Sequence, residues 1–177
     1  MNIILIGILI LTIFFIIFLV FWTVAGIMPV FFGAPWVPTS FKKIHKMLKL
    51  AQLKPNEVVY DLGSGDGRAL IIAARNFSAQ AVGIEINPLY CFFTKLAITI
   101  FGLRKEVKII CGDFFAQDLT QADVVICYLT QPTNKKLMKK FEKELRPGTR
   151  IISHVFTFPK WQIIRKDEEE CLYMYQT

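Results

Sequence analysis

From Met1 to Phe41 not one side chain carries a charge, and no other feature constrains the chain as strongly. Ile3 to Trp22 is apolar apart from Gly7 and Thr12. As a helix rising about 1.5 Å per residue it spans roughly 30 Å, the thickness of a bilayer's hydrocarbon core. A cleaved signal peptide calls for a positive leading region, a shorter apolar core and a small-residue cleavage site, none of which stands here. A mitochondrial transit peptide calls for arginine and serine, and this stretch is rich in neither. The expectation is an uncleaved single-pass anchor. Lys42, Lys43, Lys46, Lys49 and Lys54 all follow it and precede the first acid, Glu57. The positive-inside rule then places the remainder of the chain in the cytoplasm.

The net charge of +7 therefore belongs entirely to the residues after Phe41. A second basic run, Lys135, Lys136, Lys139, Lys140 and Lys143, is partly offset by Glu142 and Glu144. Beside a membrane segment, anionic lipid at the first run is a simpler partner than nucleic acid, and no stacked-aromatic RNA motif is visible. A solvated basic face is the plainer alternative. Cys91, Cys111, Cys127 and Cys171 show no CxxC spacing, and His45 and His154 are the only histidines. That composition predicts reduced thiols and no metal site.

Gly26, Pro29, Gly33, Pro35 and Pro38 read as the end of the apolar helix, with Phe31, Phe32 and Trp36 at the interface. Thr39 or Ser40 can cap a helix burying Phe41, Ile44, Met47, Leu48 and Ala51. Strands and helices then alternate. Strands are expected at Val58–Asp61, Ala81–Ile86, Val107–Cys111, Asp123–Cys127 and Arg150–Ser153. Two weaker ones fall near Trp161–Ile164 and Cys171–Tyr175. Helices are expected from Arg68 to about Asn76, from Pro88 to about Phe101 behind an Asn87 cap, and from Thr133 to Leu145. The Pro88–Phe101 helix has Lys95 as its only charge, which suits packing on the sheet, lying on a bilayer or meeting a partner helix. Alternation of this kind predicts a largely parallel sheet wrapped by helices.

Chemistry concentrates at Asp61-Leu-Gly63-Ser64-Gly65-Asp66-Gly67, between the first strand and its helix. Backbone N–H groups converge at such a turn, and glycine leaves no Cβ between them and a ligand. The spacing is GxGxG, not the GxGxxG of a dinucleotide site. An acid just before the turn repels a pyrophosphate but suits an ammonium group, which disfavours NAD. Glu85, near the end of the second strand, can accept both hydroxyls of a ribose. Asp113, after the third strand, can accept from an exocyclic adenine amine with Phe114 against the ring. Helix capping explains any one of these acids. It explains less well three of them at the ends of three successive strands.

DLGSGDGR, GIEINP, CGDFF and the later RPGTRII resemble the motifs of class I methyltransferases that use S-adenosylmethionine. PWVPTSFKKIHKML, GIEINPLY, VFTFPKW and the preceding apolar segment narrow the resemblance further. They are similar to the small membrane-anchored lysine methyltransferases of the ATP synthase c-subunit and the adenine nucleotide translocase, and to their prokaryotic relatives. The resemblance runs from about Trp36 to Trp161. It implies a Rossmann-like α/β sheet, mostly parallel with an antiparallel last strand, behind one N-terminal transmembrane helix. The domains would be an anchor at 1–28, an interfacial linker and basic helix at 29–54, and a methyltransferase domain at 55–177. S-adenosyl-L-methionine would be held by Asp61, Gly63, Ser64, Gly65, Asp66, Gly67, Glu85, Asp113 and Phe114. The substrate side would use Trp36, Pro38, Thr39, Phe158 and Trp161, with Tyr128 at the end of the fourth strand as the catalytic candidate and Phe156 as a further wall. His154 is expected to pack in its strand.

Two departures bear on address and acceptor. The N-terminus is not Arg-rich, which fits a prokaryotic membrane better than the inner mitochondrial membrane. Tyr128-Leu-Thr-Gln-Pro132 stands where many amine and base methyltransferases carry Asn/Asp-Pro-Pro-aromatic. The acceptor readings are a lysine of a membrane protein; a lipid, quinone or other small molecule; and a non-enzymatic or RNA-directed basic domain.

Overall fold

Val58-Val-Tyr-Asp-Leu62 forms the central strand because both its faces are apolar and both are covered. Val59 packs into one layer and Tyr60 into the other. The computed structural model of the chain describes residues 3–32 and 37–177. Its helices are α1 (Ile3–Phe32), α2 (Phe41–Leu50), α3 (Arg68–Phe77), α4 (Pro88–Ile100) and α5 (Gln131–Glu144). Its strands are β1 (Val58–Leu62), β2 (Gln80–Glu85), β3 (Val107–Cys111), β4 (Val124–Cys127), β5 (Arg150–His154), β6 (Arg165–Asp167) and β7 (Leu172–Gln176).

The sheet runs β3-β2-β1-β4-β5-β7-β6. The first five strands are parallel; β7 lies antiparallel to β5, and β6 antiparallel to β7. The order reverses between β1 and β4, so the crossovers on either side diverge and leave a crevice at the carboxyl ends of those strands. α2, α3 and α4 bury Ile44, Leu48, Leu70, Ala73 and Ile98 on one face. Leu137 and Phe141 of α5 close the other with Phe158 and Tyr175.

The local signals account for most boundaries. Ser40 caps α2, its Oγ accepting from the Lys43 N–H at 3.3 Å, and Asn87 Oδ1 accepts from the Leu89 N–H at 2.9 Å ahead of Pro88. Ile44, Met47, Leu48 and Ala51 are buried as the periodicity expects, whereas Phe41 is 65% exposed. Its ring instead lies under the Arg68 guanidinium, 5.3 Å from the centroid.

One boundary falls where expected and one is corrected. The backbone of the apolar helix stays helical through Pro29 to Phe32, so the helix ends inside the Gly26–Pro38 stretch read as its end. Proline removes one helical hydrogen bond, and an apolar segment keeps the rest of its ladder internal. The weak strand expected near Trp161–Ile164 lies at Arg165–Asp167 instead, because Trp161 is drawn against Phe158 and the preceding residues turn to allow it. The stretch Ile4–Thr23, 20 residues of mean hydropathy 3.4, is long and apolar enough to cross a membrane. The interface role expected of Trp36 lies outside the described residues.

Candidate active site

The Gly-rich turn is built by backbone bonds between neighbouring strands. The N–H groups of Gly63 and Ser64 both donate to the Ile84 carbonyl, at 2.9 and 3.2 Å. Gly63, Gly65 and Gly67 have φ of 78°, 54° and 75°, values that side chains with a Cβ rarely adopt. Gly67 also meets Thr94 so closely that a Cβ there would collide with it. The Thr94 hydroxyl donates back to the Gly65 carbonyl at 3.2 Å, so α4 braces the turn from behind.

Glu85 fastens the same turn from the front. One carboxylate oxygen accepts from the Gly65 N–H and the other from the Asn87 N–H, each at 2.8 Å. The side chain is buried, yet each oxygen keeps acceptor capacity. Asp66 pairs with Arg68, whose Nε reaches both Asp66 oxygens at 2.9 and 3.0 Å. The same guanidinium donates from Nη1 to the Thr39 carbonyl at 3.0 Å and so ties the segment before α2 to the cleft rim.

Asp61 is buried, and its carboxyl pKa is pushed up to about 7, first by burial and then by Glu85 and Asp66. The free site thus concentrates negative charge that a cationic ligand would relieve. The buried Ser64 hydroxyl has no partner among the described residues. Asp113 caps a short 3-10 turn by accepting from the Phe115 N–H at 2.8 Å, and Phe114 is buried beside it.

A cleft of about 950 Å³, open mouth included, joins these groups. Asp61, Gly63, Ser64, Gly65, Asp66, Glu85, Asp113 and Phe114 line it, as do Pro38, Thr39 and Tyr128. Four expected residues fall elsewhere or out of view. Gly67 serves as the N-cap of α3. Phe158 is 2% exposed and stacks with Trp161 at 5.2 Å, both in the layer formed with Phe141 and Tyr175, so neither lines the cleft. Their aromatic character serves the core. Trp36 lies outside the described residues. Phe156 likewise does not line the cleft; its carbonyl accepts from Asn134 at 2.9 Å.

His154 belongs near the site although its strand position suggested only packing. Its ring lies 4.1 Å from that of Tyr128. Lys43 Nζ lies 3.2 Å from His154 Nε2 and 3.4 Å from Glu170. Burial and then the Lys43 charge pull the imidazole pKa down to about 4, against the opposing pull of Glu170, so the ring is neutral near pH 7. With Nε2 facing an ammonium, we assign the proton to Nδ1, which has no partner among the described residues. The adjacency of β4 and β5 was the signal for this pairing, since it brings the ends of both strands to one edge.

The residues present fit S-adenosylmethionine, which carries an ammonium, a sulfonium, a ribose and an adenine. Asp61 suits the ammonium, Glu85 the ribose hydroxyls, and Asp113 with Phe114 the adenine. Comparisons with known proteins point to the same cofactor. The profile of the ANTKMT methyltransferase domain matches residues 61–165. A protein-lysine N-methyltransferase of Saccharolobus islandicus is 41% identical over 128 residues, 72% of this chain and 80% of that protein. The human lysine N-methyltransferase of the ATP synthase c-subunit is 32% identical over 127 residues, and the match spans about half of that longer protein, 54%, and 72% of this chain. Among solved structures, one described as an RNA methyltransferase from Salinibacter ruber, in complex with S-adenosyl-L-homocysteine, superposes with a TM-score of 0.76 at 37% identity. It covers 79% of this chain and 93% of its own. The acid-lined cleft at the β1/β4 switch point and these matches lead to one conclusion: the chain belongs to the ANTKMT methyltransferase domain family and is a class I methyltransferase that uses S-adenosylmethionine.

Proposed function

We propose that this enzyme methylates a lysine of another membrane protein, held at the cytoplasmic face of a membrane by α1. The observation that carries the acceptor side is Tyr128. It directly follows β4 on the same cleft as the acid cluster and rests on a neutral imidazole. An aromatic wall there can hold a cationic amine before transfer, while burial lowers the amine's pKa and favours the neutral nucleophile. S-adenosylmethionine, once bound, supplies an activated methyl; the chain's own residues orient the two reactants and exclude water. Thr39, tied down by Arg68, forms the rim across which the acceptor would enter. Identity to a protein named a protein-lysine N-methyltransferase supports the lysine acceptor. The hydropathy of α1 supports the membrane setting.

The likeness to a structure described as an RNA methyltransferase favours a second reading, in which the acceptor is RNA. One experiment separates them. Cells lacking the gene supply membranes and RNA, which are incubated with the full-length enzyme and radiolabelled S-adenosylmethionine. Protein, lipid and RNA fractions are then counted, with Glu85→Ala as the control. Label in a membrane protein, released as methyl-lysine on hydrolysis and absent with the variant, is the expected result. Label in RNA or lipid alone would overturn the lysine reading.

A further inference from the structure

α4 is apolar on both sides. Cys91, Thr94 and Ile98 face inward and are buried. Phe92, Phe93, Leu96 and Ile100, spaced i, i+1, i+4 and i+8, form one outward stripe at 61%, 50%, 47% and 70% exposure. Phe101 extends it, and across α3 a groove lined by Arg68, Ile71 and Arg75 connects Phe101 to the exposed Phe41 of α2. Arg75 lies over the Phe101 ring at 5.2 Å as Arg68 lies over Phe41, so two guanidinium groups sit among the rings. A stripe of this kind is more than scattered surface apolar residues.

Charge on these helices is one-sided, and the acid that lines the groove, Asp66, is paired with Arg68. α2, α3 and α4 hold seven of the chain's 21 Lys and Arg side chains and none of its 14 Asp and Glu, leaving 14 of each sign elsewhere. Lys43 and Lys46 turn away to Glu170, at 3.4 and 2.8 Å. Lys42, Lys49, Arg75 and Lys95 are left exposed on the layer. The layer also follows α1 in the chain, since α2 begins at Phe41 after α1 ends at Phe32.

We infer that the outer face of α2, α3 and α4 lies on an anionic lipid bilayer. The α4 stripe and Phe41 would enter the interface, and the flanking cations would meet phosphate headgroups. This inference rests on reading α1 as a membrane anchor. Rings and methyls buried at the headgroup boundary supply the attraction, and Lys and Arg stems reach past them to the phosphates. The consequence is positional. Thr94, on the inner side of the same helix, bonds the cofactor turn, so a bilayer-seated α4 sets the cleft at a fixed height above the membrane.

The test places a nitroxide at Leu96→Cys, or at Lys139→Cys on α5 as a control, in full-length protein carrying Cys111→Ser and Cys171→Ser. Collisions with oxygen and with a water-soluble nickel chelate are measured in vesicles containing phosphatidylglycerol. The Leu96 label should favour oxygen several-fold over the control label, and should return toward the control in zwitterionic vesicles. Equal nickel accessibility of the two labels would overturn the inference, and unchanged penetration in zwitterionic vesicles would remove anionic lipid as the partner. A Leu96 label shielded from both reagents already in detergent micelles would assign the face to a second copy. One exposed in vesicles but shielded by single-stranded RNA would assign it to nucleic acid. Alkaline extraction keeps the two readings apart: a chain that stays in the membrane with its Leu96 label in water retains the anchor and loses the docking face.

Discussion

The two halves of the cleft are made differently. At the ends of β1, β2 and β3 the working groups are acids held by backbone: Glu85 on the Gly65 and Asn87 N–H groups, and Asp113 on the Phe115 N–H. At the ends of β4 and β5 they are rings held by other side chains: Tyr128 on His154, and His154 on Lys43, 111 residues away. The first half is a set of turns whose acids fit the groups of S-adenosylmethionine. The second is a long-range assembly of side chains.

The sharpest way to break this contrast is at Glu85. Glu85→Ala removes the acceptor for the ribose hydroxyls, charge-assisted bonds of about 1.5–3 kcal/mol each, so affinity for S-adenosylhomocysteine should fall on the order of 100-fold by calorimetry. An unchanged affinity would show that the acid is only a turn brace. Asp61 comes next. Because its carboxyl titrates at about 7 and a ligand ammonium prefers the ionised form, wild-type affinity should fall about tenfold per pH unit below that value and level off above it. Asp61→Asn should bind weakly and without that slope. The same raised pKa acts oppositely on the free protein. Its stabilising contribution is complete below the ordinary carboxylate range and is lost as pH rises through about 7. At pH 8 the ligand-free Asp61→Asn variant should therefore melt at a higher temperature than wild type.

On the acceptor side, Tyr128→Ala should lower kcat about tenfold, a loss of about 1.4 kcal/mol of transition-state positioning, while S-adenosylhomocysteine affinity stays near wild type. A parallel loss of both would join the two halves that the structure separates. The smallest effect is expected at His154. Its folded pKa of about 4 lies below the ordinary histidine value, so the neutral ring contributes stability above about 6.5 that is lost as pH falls toward 4. Melting temperatures of His154→Gln should decline less than those of wild type across that window.

The cofactor half was legible because its signals are local. Asp61 to Gly67 is a single turn, and a βαβ unit fixes where Glu85 must fall after it. Every acid expected there lines the cleft. The acceptor half was legible only in part. Tyr128 could be placed on the cleft because strand ends share an edge, but Phe158 and Trp161 carry the same aromatic signature for a different reason. An aromatic residue after β5 can turn to the cleft or to the core. Packing against Phe141 and Tyr175 decides for the core.

The sequence by itself determined the apolar helix α1, the alternation that builds a parallel sheet, and the acidic glycine turn whose chemistry suits the cofactor. Each rests on periodicity or turn chemistry within a few residues of chain. Only the tertiary structure decided three other things: that Asp61 holds its proton to about pH 7, that Tyr128 rests on a neutral His154, and that the outer stripe of α4 stays uncovered in the fold. Desolvation, ring contact and exposure depend on which distant residues arrive together, and a linear pattern does not carry that information.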